Sequence, residues 1–146
     1  MNAGRGGAIF RSAMSDEAKP PQQTMHRVLV VDDDYDLALL LREVLTYENC
    51  EVEIAGNGME AMDCLRTYDY EAVICDLMMP RVDGEQLYND VVQEFSFLAN
   101  RFLFVTGQAS RKAGFDDFVS RSGNQVIEKP FDIQALRLAV REIFQR

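Results

Sequence analysis

Basic side chains are scarce and scattered in this chain: 15 Lys and Arg stand against 24 Asp and Glu, for a net charge of -9 over 146 residues. No Lys/Arg cluster is available to neutralise a row of phosphates, which argues against direct nucleic-acid binding. Cysteine is equally sparse. Cys50, Cys64 and Cys75 are an odd number without the paired spacing of a zinc site or a disulfide framework, which predicts reduced, buried thiols. The single histidine, His26, is read as inert rather than as a phosphocarrier. No apolar run approaches the ~20 residues of a membrane span, and no apolar stretch with a cleavage site opens the chain. A cytoplasmic protein without membrane insertion is expected.

What is present divides at about residue 26. Residues 1–26 combine Gly4, Gly6, Gly7, Pro20, Pro21, Gln22 and Gln23 with few apolar side chains, which predicts a flexible tail. Within it, Ala8-Ile9-Phe10-Arg11-Ser12-Ala13-Met14 would suit a short helix on a partner; a leader remnant is the simpler explanation, and the segment receives no function. Residues 27–146 fit one domain with enough apolar material for an ordinary core.

In that second part short apolar runs alternate with amphipathic stretches, as in βα units feeding a parallel sheet. The runs are Val28-Leu29-Val30-Val31, Val52-Glu53-Ile54-Ala55, Ala72-Val73-Ile74-Cys75, Phe102-Leu103-Phe104-Val105 and Gln125-Val126-Ile127. Four are nearly continuous, as expected of strands covered on both faces, and the second alternates in polarity, which suits an edge. Apolar stripes at helical spacing lie between and after them. They are Leu37, Leu40, Leu41, Val44 and Leu45; Met59, Met62 and Leu65; Leu87, Val91 and Phe95; Phe115, Phe118 and Val119; and Ile133, Leu136, Val140, Ile143 and Phe144. Right-handed crossovers then favour a doubly wound three-layer α/β sandwich with five strands and five helices, its functional groups gathered at the carboxyl ends of the strands.

Those ends carry Asp32-Asp33-Asp34, Asp76, Thr106, and Lys129 followed by Pro130. Carboxylates crowded at one point repel each other unless a cation is present, and a hard divalent ion such as Mg²⁺ suits oxygen ligands of this kind. An aspartate beside such an ion can attack a phosphoryl group, with Lys129 and Thr106 each available to one phosphoryl oxygen.

Taken together, Leu29-Val30-Val31-Asp32-Asp33-Asp34, Val73-Ile74-Cys75-Asp76-Leu77-Met78-Met79-Pro80, Val82-Asp83-Gly84, Val105-Thr106-Gly107 and Glu128-Lys129-Pro130-Phe131 resemble the receiver domains of two-component response regulators, from about Arg27 onward. The resemblance implies a flavodoxin-like sheet of order 2-1-3-4-5 and Asp76 as phosphoacceptor. It implies Mg²⁺ or Mn²⁺ held directly by Asp33 and Asp76, with Asp32 assisting through water and the Met78 backbone carbonyl as a further ligand. Thr106 matches the family's switch hydroxyl, Lys129 its phosphate-contacting lysine, and the Lys129-Pro130 bond its cis peptide. The partners implied are a histidine kinase or phosphotransfer protein upstream and an effector protein downstream, with a homodimer through the fourth and fifth helices also open. The function implied is a signalling module that catalyses only its own phosphorylation and dephosphorylation. Because the sequence ends soon after the fifth helix, output by protein contact is expected, with a fragment or a phosphate shuttle as alternatives.

Plainer roles fit several residues. Asp34 and Asp132 suit helix N-caps, Asp116-Asp117 a solvated face, and Met59, Met62, Met78 and Met79 gap-filling in the core. Cys75 should point away from Asp76 into the core by strand alternation. The family's usual aromatic residue three positions before the lysine is Val126 here, so the signal is expected to travel through the backbone of the loop after Thr106. The poor helical stripe over residues 108–114 predicts a short fourth helix, and Ser122-Gly123-Asn124 resembles receivers attached to hybrid kinases. Two competing functions remain open: a pseudo-receiver that binds partners without phosphorylation, and a haloacid dehalogenase-type phosphatase using Asp32 as nucleophile and Asp34 as general acid.

Overall fold

The computed structural model describes residues 25–79, 83–107 and 114–146. Five strands, β1 (His26–Val31), β2 (Cys50–Ala55), β3 (Ala72–Asp76), β4 (Phe102–Gly107) and β5 (Gln125–Lys129), pair in parallel in the order β2-β1-β3-β4-β5. Alternating with them are α1 (Tyr35–Thr46), α2 (Gly58–Thr67), α3 (Gly84–Glu94), α4 (Phe115–Ser122) and α5 (Ile133–Phe144), with a 3-10 turn at Ser96–Leu98. This is the doubly wound sandwich that the alternating runs imply. The run of mixed polarity, β2, sits at an edge.

Strand alternation splits the core in two, because successive side chains leave opposite faces of the sheet. Leu29, Val31, Val73, Cys75, Phe102 and Phe104 pack beneath α2, α3 and α4. Val28, Val30, Ile74, Leu103 and Val105 pack beneath α1 and α5. On the first side Tyr88, Phe102, Phe104 and Phe118 form an aromatic cluster with ring centroids 4.9–5.6 Å apart. Such pairs are each worth ~0.5–1.5 kcal/mol beyond the area they bury. Cys75 joins this side, turned away from Asp76 as alternation requires.

Helix ends follow capping chemistry. Asp34 accepts from the Leu37 N–H at 3.1 Å, Asp83 from Gln86 at 2.9 Å and Asp132 from Gln134 at 3.0 Å. Gly123 ends α4 at φ 73°, a conformation costly for any side chain. Asn124, buried after it, receives the Phe102 N–H at 3.3 Å and donates to the Ala99 carbonyl at 2.8 Å. The Ser-Gly-Asn turn thus has a structural duty here, tying the start of β5 to the start of β4.

Several sequence expectations need correction. Met59, Leu40 and Ile133 lie outside the core at 74%, 44% and 42% exposure, because the face each helix buries is narrower than its apolar stripe; α2 buries Gly58, Ala61 and Leu65 instead. Cys50 and Cys75 are buried as expected, but Cys64 is only half-buried. Burial pushes the Cys50 thiol up to about 12, with Glu48 and Glu71 adding to the effect. His26 is not idle at the end of a tail. It opens β1, stacks on Phe144 with centroids 3.9 Å apart, and places Nδ1 3.0 Å from Glu71. The expected flexible tail lies, up to residue 24, outside the described residues, as does most of the loop expected to carry the signal beyond Thr106. No helix among the described residues is long and apolar enough to cross a membrane.

Candidate functional site

Pairing in register brings the carboxyl ends of β1, β3, β4 and β5 to one rim. Val31 lies beside Cys75 and Asp76 beside Val105, so Asp32, Asp76 and Thr106 follow at nearly the same height. Gly107 lies opposite Lys129, which brings the lysine over the same point from the far edge.

Ligand oxygens of Asp32, Asp33 and Asp76 lie within 4.8 Å of one another; Asp32 and Asp76 are buried and Asp33 is exposed. Lys129 Nζ stands 3.2 Å from Asp76 Oδ2 and 3.5 Å from Asp32 Oδ2, spanning the two buried carboxylates. Their other oxygens are held by the backbone: Asp76 Oδ1 accepts from the Met78 N–H at 3.0 Å and Asp32 Oδ1 from the Asp34 N–H at 2.9 Å. Thr106 is fully buried, and among the described residues its hydroxyl reaches the Gly107 carbonyl at 3.4 Å, near the limit of a hydrogen bond. The Lys129-Pro130 peptide bond is cis.

Electrostatics follow from this crowding. Burial, with the neighbouring Asp76 charge, raises the Asp32 carboxyl to about 6 against the opposing pull of the Asp34 N–H and Lys129. For Lys129, burial works against its charge, but Asp76 and Asp32 outweigh it and its pKa stands raised. The ammonium therefore stays charged at neutral pH. A hard cation with oxygen ligands fits a set of three carboxylates offset by one lysine.

Gly84 supports Asp76 from below. A Cβ on Gly84, the first residue of α3, would lie 2.7 Å from the Asp76 carbonyl oxygen and 2.7 Å from Leu77 Cα. The Gly84 N–H also donates to the Leu77 carbonyl at 3.1 Å, tying the start of α3 to the end of β3. In the sequence, the signal for this contact is an Asp that can cap a helix, followed directly by Gly84 at its first position. Gly84→Ala is expected to cost ~1–3 kcal/mol in a urea melt, since backbone rather than a flexible side chain must yield, and to slow any reaction at Asp76.

The response regulator receiver domain description matches residues 28–141, nearly the whole of the described fold. The chain belongs to this family. The receiver domain is 30% identical over 125 residues to the response regulator ArlR of Staphylococcus aureus, covering 84% of this chain and 54% of that protein. It thus spans about half the length of the curated relatives it matches. Response regulator TrrA from Thermotoga maritima, solved in complex with Mg²⁺-BeF, is 27% identical with a TM-score of 0.70, over 82% of this chain and 99% of that one. A CheY-like receiver domain protein from Methanospirillum hungatei superposes with a TM-score of 0.75 at 22% identity, over 84% of this chain and 96% of that one, a likeness of fold. Within this receiver domain Val126 pairs with Phe104 and packs against the aromatic cluster, so no ring stands at that position.

Proposed function

We propose that Asp76 accepts a phosphoryl group from a histidine kinase or phosphotransfer protein, and that the resulting change at the rim alters contacts with an effector protein. The observation that supports it best is the Lys129 ammonium lying between Asp76 Oδ2 and Asp32 Oδ2, with Asp33 in the same cluster. In the forward step an Asp76 oxygen forms a bond to phosphorus while the phosphorus–nitrogen bond of the donor breaks, its electron pair going to the imidazole nitrogen. Asp33, Asp76 and the Met78 carbonyl would hold Mg²⁺ or Mn²⁺, with Asp32 behind them, and the ion would supply positive charge against the phosphoryl oxygens. Lys129 leaves Asp32 and Asp76 to pair with one phosphoryl oxygen, and the Thr106 hydroxyl turns to another. Movement of Thr106 then reaches Phe104, two residues back on the same face of β4, and the edge where a partner or a second copy would sit on α4 and α5.

On this reading the protein has no separate substrate and acts only on its own phosphorylation state. The phosphatase alternative is disfavoured because Asp34, its general acid, is exposed and engaged in capping α1. Incubation with Mg²⁺ and acetyl phosphate is expected to give one phosphoryl adduct by intact mass. Turnover of a phosphate ester dependent on Asp32 would instead establish the phosphatase, and absence of both would leave the pseudo-receiver.

Phosphoryl lifetime rests on what borders the incoming water. Met78 offers neither acid nor base and is 39% exposed at the rim. Hydrolysis of labelled protein is therefore expected to be slow to intermediate, and Met78→Asp or Met78→Asn to leave the half-life equal or shorter. A sharp lengthening in either variant would contradict this role.

A further inference from the structure

The groove between α2 and α3 is open and built of unlike parts. Met59 is 74% exposed, Met62 is half-buried and Leu87 closes the bottom, while Asp63, Asp90 and Glu94 stand along the walls. Glu94 is held by Arg66 through two hydrogen bonds of 2.8 and 2.9 Å, but Asp63 and Asp90 form no ion pair among the described residues. The groove comprises hollows of about 450 and 240 Å³. Arg66 borders both, and also a third of about 450 Å³ that includes Arg27 and Tyr68. A track therefore runs from the second residue of β1 up to Met59 at the start of α2.

The N-terminal segment joins the domain at the foot of that track, since Met25 is two residues from Arg27. Ile9 and Ala13, and Phe10 and Met14, recur at a spacing of four, which gathers them on one face if the segment is helical. Arg11 is the one charged side chain within this stretch, Arg5 precedes it, and the first acid, Asp16, comes after it. Ten residues lie between Met14 and Met25, and the eleven steps from one to the other reach up to ~36–40 Å extended, against ~15 Å for the length of α2. Exposed methionine adapts readily to an apolar partner, and a basic, apolar peptide complements an acidic rim around an apolar floor.

We propose that Ala8–Met14 of this same chain docks in the α2–α3 groove, with Phe10 and Met14 on Met59, Met62 and Leu87, and with Arg11 and the upstream Arg5 toward Asp63 and Asp90. Benzoylphenylalanine placed at Phe10 in the full chain, irradiated and mapped by peptide mass, tests this without reference to Asp76. A product of single-chain mass with the new bond at Met59 or Met62 is expected. Its yield should fall about fivefold in the Asp63→Lys/Asp90→Lys variant, as for loss of two exposed ion pairs, with an unchanged melting temperature showing that the variant folds. A product of double mass would place a second copy's segment in the groove. That result, bonds scattered over other surfaces, or no bond at all would each overturn the proposal.

Discussion

Asp76→Asn is expected to abolish the phosphoryl adduct, with intact mass showing only unmodified protein after acetyl phosphate and Mg²⁺. The amide keeps the shape and the oxygen that accepts from the Met78 N–H, but it carries no anionic nucleophile and weakens the cation site. Lys129→Met is the informative companion. It leaves Asp76 intact and, among the described residues, removes the one ammonium within 3.5 Å of both buried carboxylates, so adduct formation should slow by ~10²–10³, the usual cost of losing a donor to developing charge. The same variant should also lose stability, because Asp32 and Asp76 are then buried without their counter-charge. An adduct that survives Asp76→Asn at full yield would move the acceptor elsewhere and sink the assignment.

Asp32→Asn is expected to stabilise the metal-free protein at neutral pH while impairing its reaction. Folding raises the Asp32 pKa from 3.8 to about 6, mainly through burial. The folded state therefore binds more protons than the unfolded state between those values. This contribution to stability is fully present below the unfolded pKa and is lost as pH rises through about 6. At pH 7.5 the charged, buried carboxylate costs on the order of 1–3 kcal/mol, a few degrees in melting temperature. Asn carries no such cost, so the difference between variant and wild type should be small near pH 4 and grow toward pH 7.5. Mg²⁺ should raise the melting temperature of the wild type more than that of the variant. A wild type that gains stability relative to Asp32→Asn on going from pH 5 to 7.5 without metal would refute this. The trade fits a site whose charges are arranged for chemistry rather than for stability.

Much of the site was legible because strand ends in a parallel sheet converge whatever their separation in sequence. Finding Asp32, Asp76, Thr106 and Lys129 needed only the positions at which apolar runs stop. Asp34 and Asp132 were readable as caps by the same logic, since each precedes an amphipathic stretch. Gly84 was not, because a missing Cβ has significance only where another backbone already occupies its place. Nor was the duty of Asn124, whose partners Phe102 and Ala99 lie 22 and 25 residues away.

The sequence by itself determined the alternation of strands and helices, the edge position of β2 and the chemical kinds of group at the rim, because periodicity and strand termini are local properties. Tertiary structure alone decided which way each helix turns and which charges meet. Met59 belongs to an apolar stripe on paper, yet α2 rolls so that Ala61 and Leu65 fill the core and Met59 faces outward over the α3 groove. Lys129 is placed at a strand end by the sequence, but only the pairing of β5 with β4 and β4 with β3 brings its ammonium across 53 residues of chain to 3.2 Å from Asp76. Direction and proximity are set by what packs against a residue, and a linear pattern does not contain that information.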